Sequence, residues 1–161
     1  MIRLKTSVLL AASLKIGAIL GGATPEDAQR LYEFGQNMGL AFQLKDDLLD
    51  VYGDVAVFGK NIGGDILCNK KTFLLIKALE HADAEQSVCL NKWLDAVDYV
   101  PQEKIDAVTY IYNQIGVKEL CEQKIAMYSA AAKENLLAVN LPEEKKVELM
   151  KIVEKMMHRE S

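Results

Sequence analysis

Histidine is scarce in this chain: His81 and His158 are the two present, and they stand alone, so no histidine-based metal or nucleophile constellation can be assembled. Cysteine is nearly as rare. Cys68, Cys89 and Cys121 are odd in number, widely separated and free of any C-x-x-C spacing, which argues against a disulfide framework or a zinc site and fits unpaired core thiols in a reducing compartment. An excess of positive charge is missing too. The net charge is -4, with acids and bases interspersed, so there is no basic stripe of the kind that phosphate-backbone binding demands and no nucleic acid is expected as a partner. No run of alternating β-branched residues occurs, and no apolar run approaches the roughly 20 residues that a membrane span requires. The opening M-I-R-L-K-T-S followed by V-L-L-A-A-S-L has a superficial likeness to the basic and apolar regions of a signal peptide, but Lys15 cuts the apolar run short. Leu4, Val8, Ala11, Ala12 and Leu14 to Ile19 fit a buried globular helix instead, and the protein is read as cytoplasmic with no membrane span.

What is present is helical periodicity. The 161 residues are 50% hydrophobic, enough to bury one sizeable core, and the expected fold class is all-α, with residues 1–161 as a single all-α unit. A first helix is expected from about Ile2 to Leu20, ending at Gly21-Gly22, where glycine supplies left-handed cap geometry. Thr24-Pro25-Glu26-Asp27 then restarts the chain with an N-cap threonine, a proline at the first helical position and acids facing the helix dipole. This second helix can run to about Tyr52, with Leu31, Gly35, Met38, Phe42 and Leu49 marking a packed face. Gly35 and Gly39, one turn apart, suggest close approach by a neighbouring helix or a ligand, since each costs about 1 kcal/mol inside a helix. Further helices are expected over Asn69 to His81, Ala84 to Tyr99, Pro101 to Gly116, Val117 to Val139 and Pro142 to Arg159.

The chemistry concentrates in Gly39 to Asp54, G-L-A-F-Q-L-K-D-D-L-L-D-V-Y-G-D. Asp46 and Asp50 are i, i+4 and Asp47 is i+3 from Asp50, so a helix projects all three from about half of its circumference. Like charges so spaced repel, and a divalent cation removes the cost. The hard oxygen ligands suit Mg²⁺, which typically takes one or two carboxylates and completes its octahedron with water and substrate phosphate oxygens. Gln43 lies one turn ahead of the acids. A glycine-punctuated loop, G-D-V-A-V-F-G-K-N-I-G-G-D, follows directly from Gly53 to Asp65 and carries Lys60, and Lys70 opens the next expected helix. Aspartates, magnesium and lysines together form the complementary lining for a diphosphate.

These elements resemble the trans-isoprenyl diphosphate synthases, the polyprenyl synthetase family. The stretch from Gly39 to Asp54 is similar to that family's second aspartate-rich motif, in which F-Q precedes D-D-x-x-D. Gly59-Lys60 and Gly63-Gly64-Asp65 resemble its diphosphate-covering loop, Asn69 to Thr72 (N-K-K-T) its downstream lysine element, and Lys5-Thr6 the Lys-Thr pair on the preceding helix. The resemblance implies an isoprenoid synthase fold and a metal site of Asp46, Asp47 and Asp50, with Mg²⁺ held directly by Asp46 and Asp50 and Asp47 supporting the cluster. Lys5, Thr6, Lys60 and Lys70 would contact an allylic prenyl diphosphate, and Phe42 and Gln43 would lie beside the prenyl chain and the reacting carbons. Catalysis, assigned to Asp46, Asp47, Asp50 and Lys60, would then be condensation of that diphosphate with isopentenyl diphosphate, in a homodimer.

One departure is large. Asp46-Asp47 is the only adjacent aspartate pair in the chain, whereas the family uses two such motifs, the first well upstream of its Lys-Thr element. The chain therefore resembles the carboxy-terminal half of a synthase. The alternatives are a non-catalytic helical partner subunit of a prenyltransferase, or a terpene cyclase-like enzyme, which shares the ionisation chemistry but places its motif on an earlier helix.

Overall fold

The computed structural model describes residues 6–54 and 62–157, and every regular element among them is helical. In order these are α1 (Val8–Leu20), α2 (Pro25–Tyr52), the single turn α3 (Gly64–Leu67), α4 (Phe73–His81), α5 (Ala84–Asp95), α6 (Pro101–Ile115), α7 (Val117–Leu137) and α8 (Glu143–Met157). No helix among the described residues is long and apolar enough to cross a membrane. The chain divides into two compact units, residues 1–45 with 123–159 and residues 46–122 with 160–161.

In the first unit, Gly22 has φ 79° where α1 ends, and the Asp27 N–H donates to Thr24 Oγ1 at 3.1 Å as α2 begins, so both sequence signals act as read. Phe34, Met38, Ala132, Leu136 and Val153 form the core, with Leu10, Leu14, Leu31, Leu149 and Met150 packed against it. The two α2 glycines admit α1. A Cβ at position 35 would meet Ala11 Cα at 2.9 Å, and one at position 39 would meet Ser7 Cα at 2.8 Å. Thr6 and Ser7, just ahead of α1, are in π-helical conformation, and Ser7 is buried. Asp27 fastens the other end: its Oδ1 accepts from the Asn140 backbone N–H at 3.0 Å and from Arg30 at 3.1 Å, while Arg30 also donates to the Ala138 carbonyl.

In the second unit, the helix expected to begin at Asn69 begins at Phe73. Asn69 has φ 50°, a left-handed conformation that interrupts a helix, and Thr72 takes the N-cap by accepting from the Leu75 N–H at 3.3 Å. Lys70 therefore lies in the turn between α3 and α4 rather than opening a helix. The helix expected to reach Tyr99 stops at Asp95, where Ala96 turns to an extended conformation, and Tyr99 beyond it donates its hydroxyl to the Leu67 carbonyl at 3.2 Å. Of the three free cysteines only Cys121 is a core residue; Cys68 is exposed and Cys89 half-buried, which corrects the reading of all three as core thiols.

Candidate functional site

The carboxylates sit on the last two turns of α2, within the second unit. Helical geometry turns successive residues by about 100°, so Asp46 and Asp50 share a face while Asp47 points to another. Asp47 is directed inward: it is 4% exposed, and its Oδ1 accepts from Lys70 Nζ at 3.0 Å. Its second oxygen is buried, with no hydrogen-bond partner among the described residues. Asp46 and Asp50 are half-buried.

Asp50 organises the chain that returns after the glycine loop. Its carbonyl accepts the Gly63 N–H at 2.6 Å and its Oδ2 accepts the Asp65 N–H at 2.8 Å. Gly63 is required there, since its φ is 85° and a Cβ would stand 2.6 Å from Ile105 Cδ1. The Asp65 carboxylate in turn accepts from Lys70 Nζ at 2.7 Å, so one ammonium bridges Asp47 and Asp65.

The electrostatics follow. Burial pushes the Asp47 carboxyl above the usual carboxylate range, against the hydrogen bond from Lys70 that pulls it down. Burial likewise raises Asp50, opposed by the Asp65 N–H. For Lys70, burial lowers the ammonium, but the hydrogen bonds to Asp65 and Asp47 outweigh it and hold the group above its ordinary value. The cluster carries more negative charge than one lysine neutralises.

Among the described residues, no group of three or more carboxylate, histidine or cysteine side chains is arranged to hold a metal ion. Of the three aspartates assigned to the metal site, Asp47 is turned into the protein and committed to Lys70. What remains, Asp46 and Asp50 one turn apart on the same face, fits an ion that takes one or two protein carboxylates and draws its other oxygens from water and a bound anion.

Thr6, Phe42 and Gln43 belong to the first unit, Phe42 and Gln43 on the stretch of α2 just ahead of Asp46. Lys5 and Lys60 lie outside the described residues. Of the expected site residues, the structure brings together Asp46, Asp47, Asp50 and Lys70. It adds Asp65, which had no assigned role although Gly-Gly-Asp was part of the motif, and Lys104 on α6, which had no signal because a lone lysine in an amphipathic helix reads as a solvated side chain.

Comparison with known proteins accords with this geometry. The polyprenyl synthetase family model matches residues 1–115. A short chain isoprenyl diphosphate synthase from Methanothermobacter thermautotrophicus is 36% identical over 136 residues, 84% of this chain and 41% of the relative. A crystal structure of a geranylgeranyl pyrophosphate synthase superposes with TM-score 0.89 and 35% identity, covering 99% of this chain and 50% of that one. The crystal structure of geranylgeranyl pyrophosphate synthase from Corynebacterium glutamicum complexed with isoprenyl diphosphate and magnesium gives TM-score 0.85 at 32% identity, over 98% of this chain and 44% of that one. The chain thus spans half or less of the length of these relatives. With the family model matched over more than half of its residues, and the aspartates, the glycine turn and Lys70 falling inside that match, the chain belongs to the polyprenyl synthetase family.

Proposed function

We propose that this chain is the diphosphate-binding part of a polyprenyl diphosphate synthase, acting on an allylic prenyl diphosphate that is condensed with isopentenyl diphosphate. The observation that carries the reading is the bridge of Lys70 between Asp47 and Asp65 beside the Asp46/Asp50 face, a cation and a pair of carboxylates adjoining one another. Such a pairing suits a ligand that is itself an anion accompanied by a metal ion. Asp46 and Asp50 would hold Mg²⁺, which when bound neutralises charge on a departing diphosphate. Lys70 has three N–H groups, two of them engaged by Asp47 and Asp65, and its side chain is 41% exposed, so a third can reach an anion. Asp47 acts by holding Lys70 in place. Lys60, Lys5 and Thr6 are proposed as further diphosphate contacts, and Phe42 and Gln43 as neighbours of the prenyl chain. None of this asks for a nucleophilic side chain, because positioning and electrostatics carry ionisation of an allylic diphosphate.

Support for assembly comes from α1, where Leu9, Ile16, Ile19 and Leu20 are exposed, Leu20 at 83%. Apolar side chains so placed suit burial against further helices, those of the remaining portion of a synthase or of a second copy in a homodimer. We place the protein in the cytoplasm. The occurrence of a single adjacent aspartate pair favours a second reading, a non-catalytic partner subunit.

Calorimetric titration of Mg²⁺ with and without inorganic pyrophosphate tests the reading. Binding should be weak alone and tighter with pyrophosphate, and Asp46→Asn should abolish the difference; equal affinities in the two titrations would remove the proposal. Incorporation of labelled isopentenyl diphosphate should be absent with the chain alone and restored by a separate polypeptide carrying the other aspartate motif. Inactivity of the assembled mixture would favour the partner-subunit reading.

A further inference from the structure

Lys104 is a lysine in the core. It is 1% exposed, and an ionised ammonium removed from water is costly unless it is paired. Its partners among the described residues are neutral: Nζ donates to Asn69 Oδ1 at 2.7 Å and stands 4.4 Å from the centre of the Tyr99 ring. Replacement of a buried charge by an apolar side chain of similar shape is often neutral or stabilising, so stability alone does not account for Lys104.

Its partner supplies the account. Asn69 occupies the left-handed turn that ends α3, with φ 50°. Its amide is held from both ends, the oxygen by Lys104 and Nδ2 by donation to the Leu94 carbonyl at 2.9 Å. The next residue is Lys70, whose own N–H donates to the Asp65 carbonyl at 2.9 Å, and whose carbonyl accepts from Thr72. A cavity with room for about one water molecule lies here, lined among others by Asp65, Asn69, Lys70, Thr72 and Lys104, so a remaining N–H of the ammonium can be met by water.

We propose that Lys104 is a positioning residue: its buried ammonium locks Asn69 in the turn that delivers Lys70 to Asp47 and Asp65. A side chain at the core thereby sets the direction of the one described cation that bridges two of the site's carboxylates. Its relevance to diphosphate binding rests on the function proposed above, whereas the positioning itself does not.

The test reads Lys70 directly. Heteronuclear NMR of the lysine ammonium groups of the full chain should show a signal slowed in exchange by its two carboxylates, identified as Lys70 by its disappearance in Lys70→Met. Lys104→Met should keep the melting temperature and yet shift or broaden that signal to loss. Asn69→Gly, which tolerates the left-handed turn but removes the amide, should do the same and decides the matter if Lys104→Met does not fold. A parent chain without such a protected signal, or an unchanged signal in the folded variants, overturns the proposal. In the second arm, affinity for inorganic pyrophosphate with Mg²⁺ should fall about tenfold in Lys104→Met and not fall further when that change is added to Lys70→Met. Additive losses would show that Lys104 does not act through Lys70. A parent that binds no pyrophosphate removes the diphosphate reading, while the ammonium signal still decides the positioning claim.

Discussion

Gly39→Ala tests the contact that sets Ser7, just ahead of α1, against α2, and with it the place of Thr6. A Cβ at position 39 would stand 2.8 Å from Ser7 Cα, 2.9 Å from Ser7 Cβ and 3.0 Å from Ser7 Oγ. Only the hydroxyl can rotate away; the other two atoms move only if the helix moves. Overpacking against such rigid atoms costs about 1 to 3 kcal/mol, and here the upper part of that range applies. Alanine returns about 1 kcal/mol through its better helix propensity. The net expectation is a loss of about 1 to 2 kcal/mol. Gly17→Ala supplies the control, because a Cβ at position 17 meets nothing within 4 Å, so only the propensity gain, up to about 1 kcal/mol, should be seen. Urea unfolding followed by circular dichroism measures both. Gly39→Ala as stable as the parent would refute the close approach, and so would a loss of equal size in Gly17→Ala, which would mark a general intolerance of alanine.

Other perturbations have equally definite signs. Lys70→Met leaves the inward Asp47 carboxylate without its counter-charge and should destabilise the protein by about 1 to 2 kcal/mol, a value discounted because Lys70 is 41% exposed; adding Asp47→Asn should recover most of the loss, and simple additivity in denaturant unfolding would argue against the pairing. Gly63→Ala combines a left-handed backbone with Ile105 carbons at 2.6 and 2.7 Å from the new Cβ, and should cost about 2 to 4 kcal/mol; Ile105→Ala should relieve the steric part and leave the backbone part, as a double-mutant cycle would show. The Asn140 N–H holds the Asp27 carboxyl below its ordinary 3.8, with Thr24 and Arg30 assisting against burial. Its contribution to stability is therefore present above about pH 3.8 and lost as pH falls through the lower folded value, so Asp27→Asn should flatten the acid side of the stability profile; an unchanged acid limb in unfolding curves between about pH 5 and about pH 2 would count against it. Asp47 and Asp50, raised by burial, act with the opposite sign, since their ionisation lowers stability as pH rises through their folded values.

The helix boundaries that were legible are those written in local chemistry. Thr24-Pro25 opens α2 and Gly116, with φ 77°, ends α6, because caps and left-handed turns need little beyond their own residues. The glycine pair at 35 and 39 was legible for a similar reason: glycine inside a helix signals close approach. The break at Asn69 was not, since nothing in C-N-K-K-T forbids a helix and the turn is held by Lys104, thirty-five positions away. Spacing gave the angles between the three aspartates but not which of them faces the core. Lys104 itself was invisible because a hydrophobic pattern counts every lysine as surface. Charge at the core becomes readable only when its partners are known.

Asp50 holds both the Gly63 and Asp65 N–H groups, so the chain between Tyr52 and Ile62 begins and ends against one residue. The free energy of closing such a span grows only as the logarithm of its length, with each doubling adding about 0.6 kcal/mol. A change in the length of that span therefore adds little closure free energy as long as Asp50 keeps both N–H groups and Lys60 keeps its place. The same freedom stops at Gly63. From there to Asp65 a change of one residue would carry the amide away from the Asp50 carboxylate, which makes those three positions a ruler.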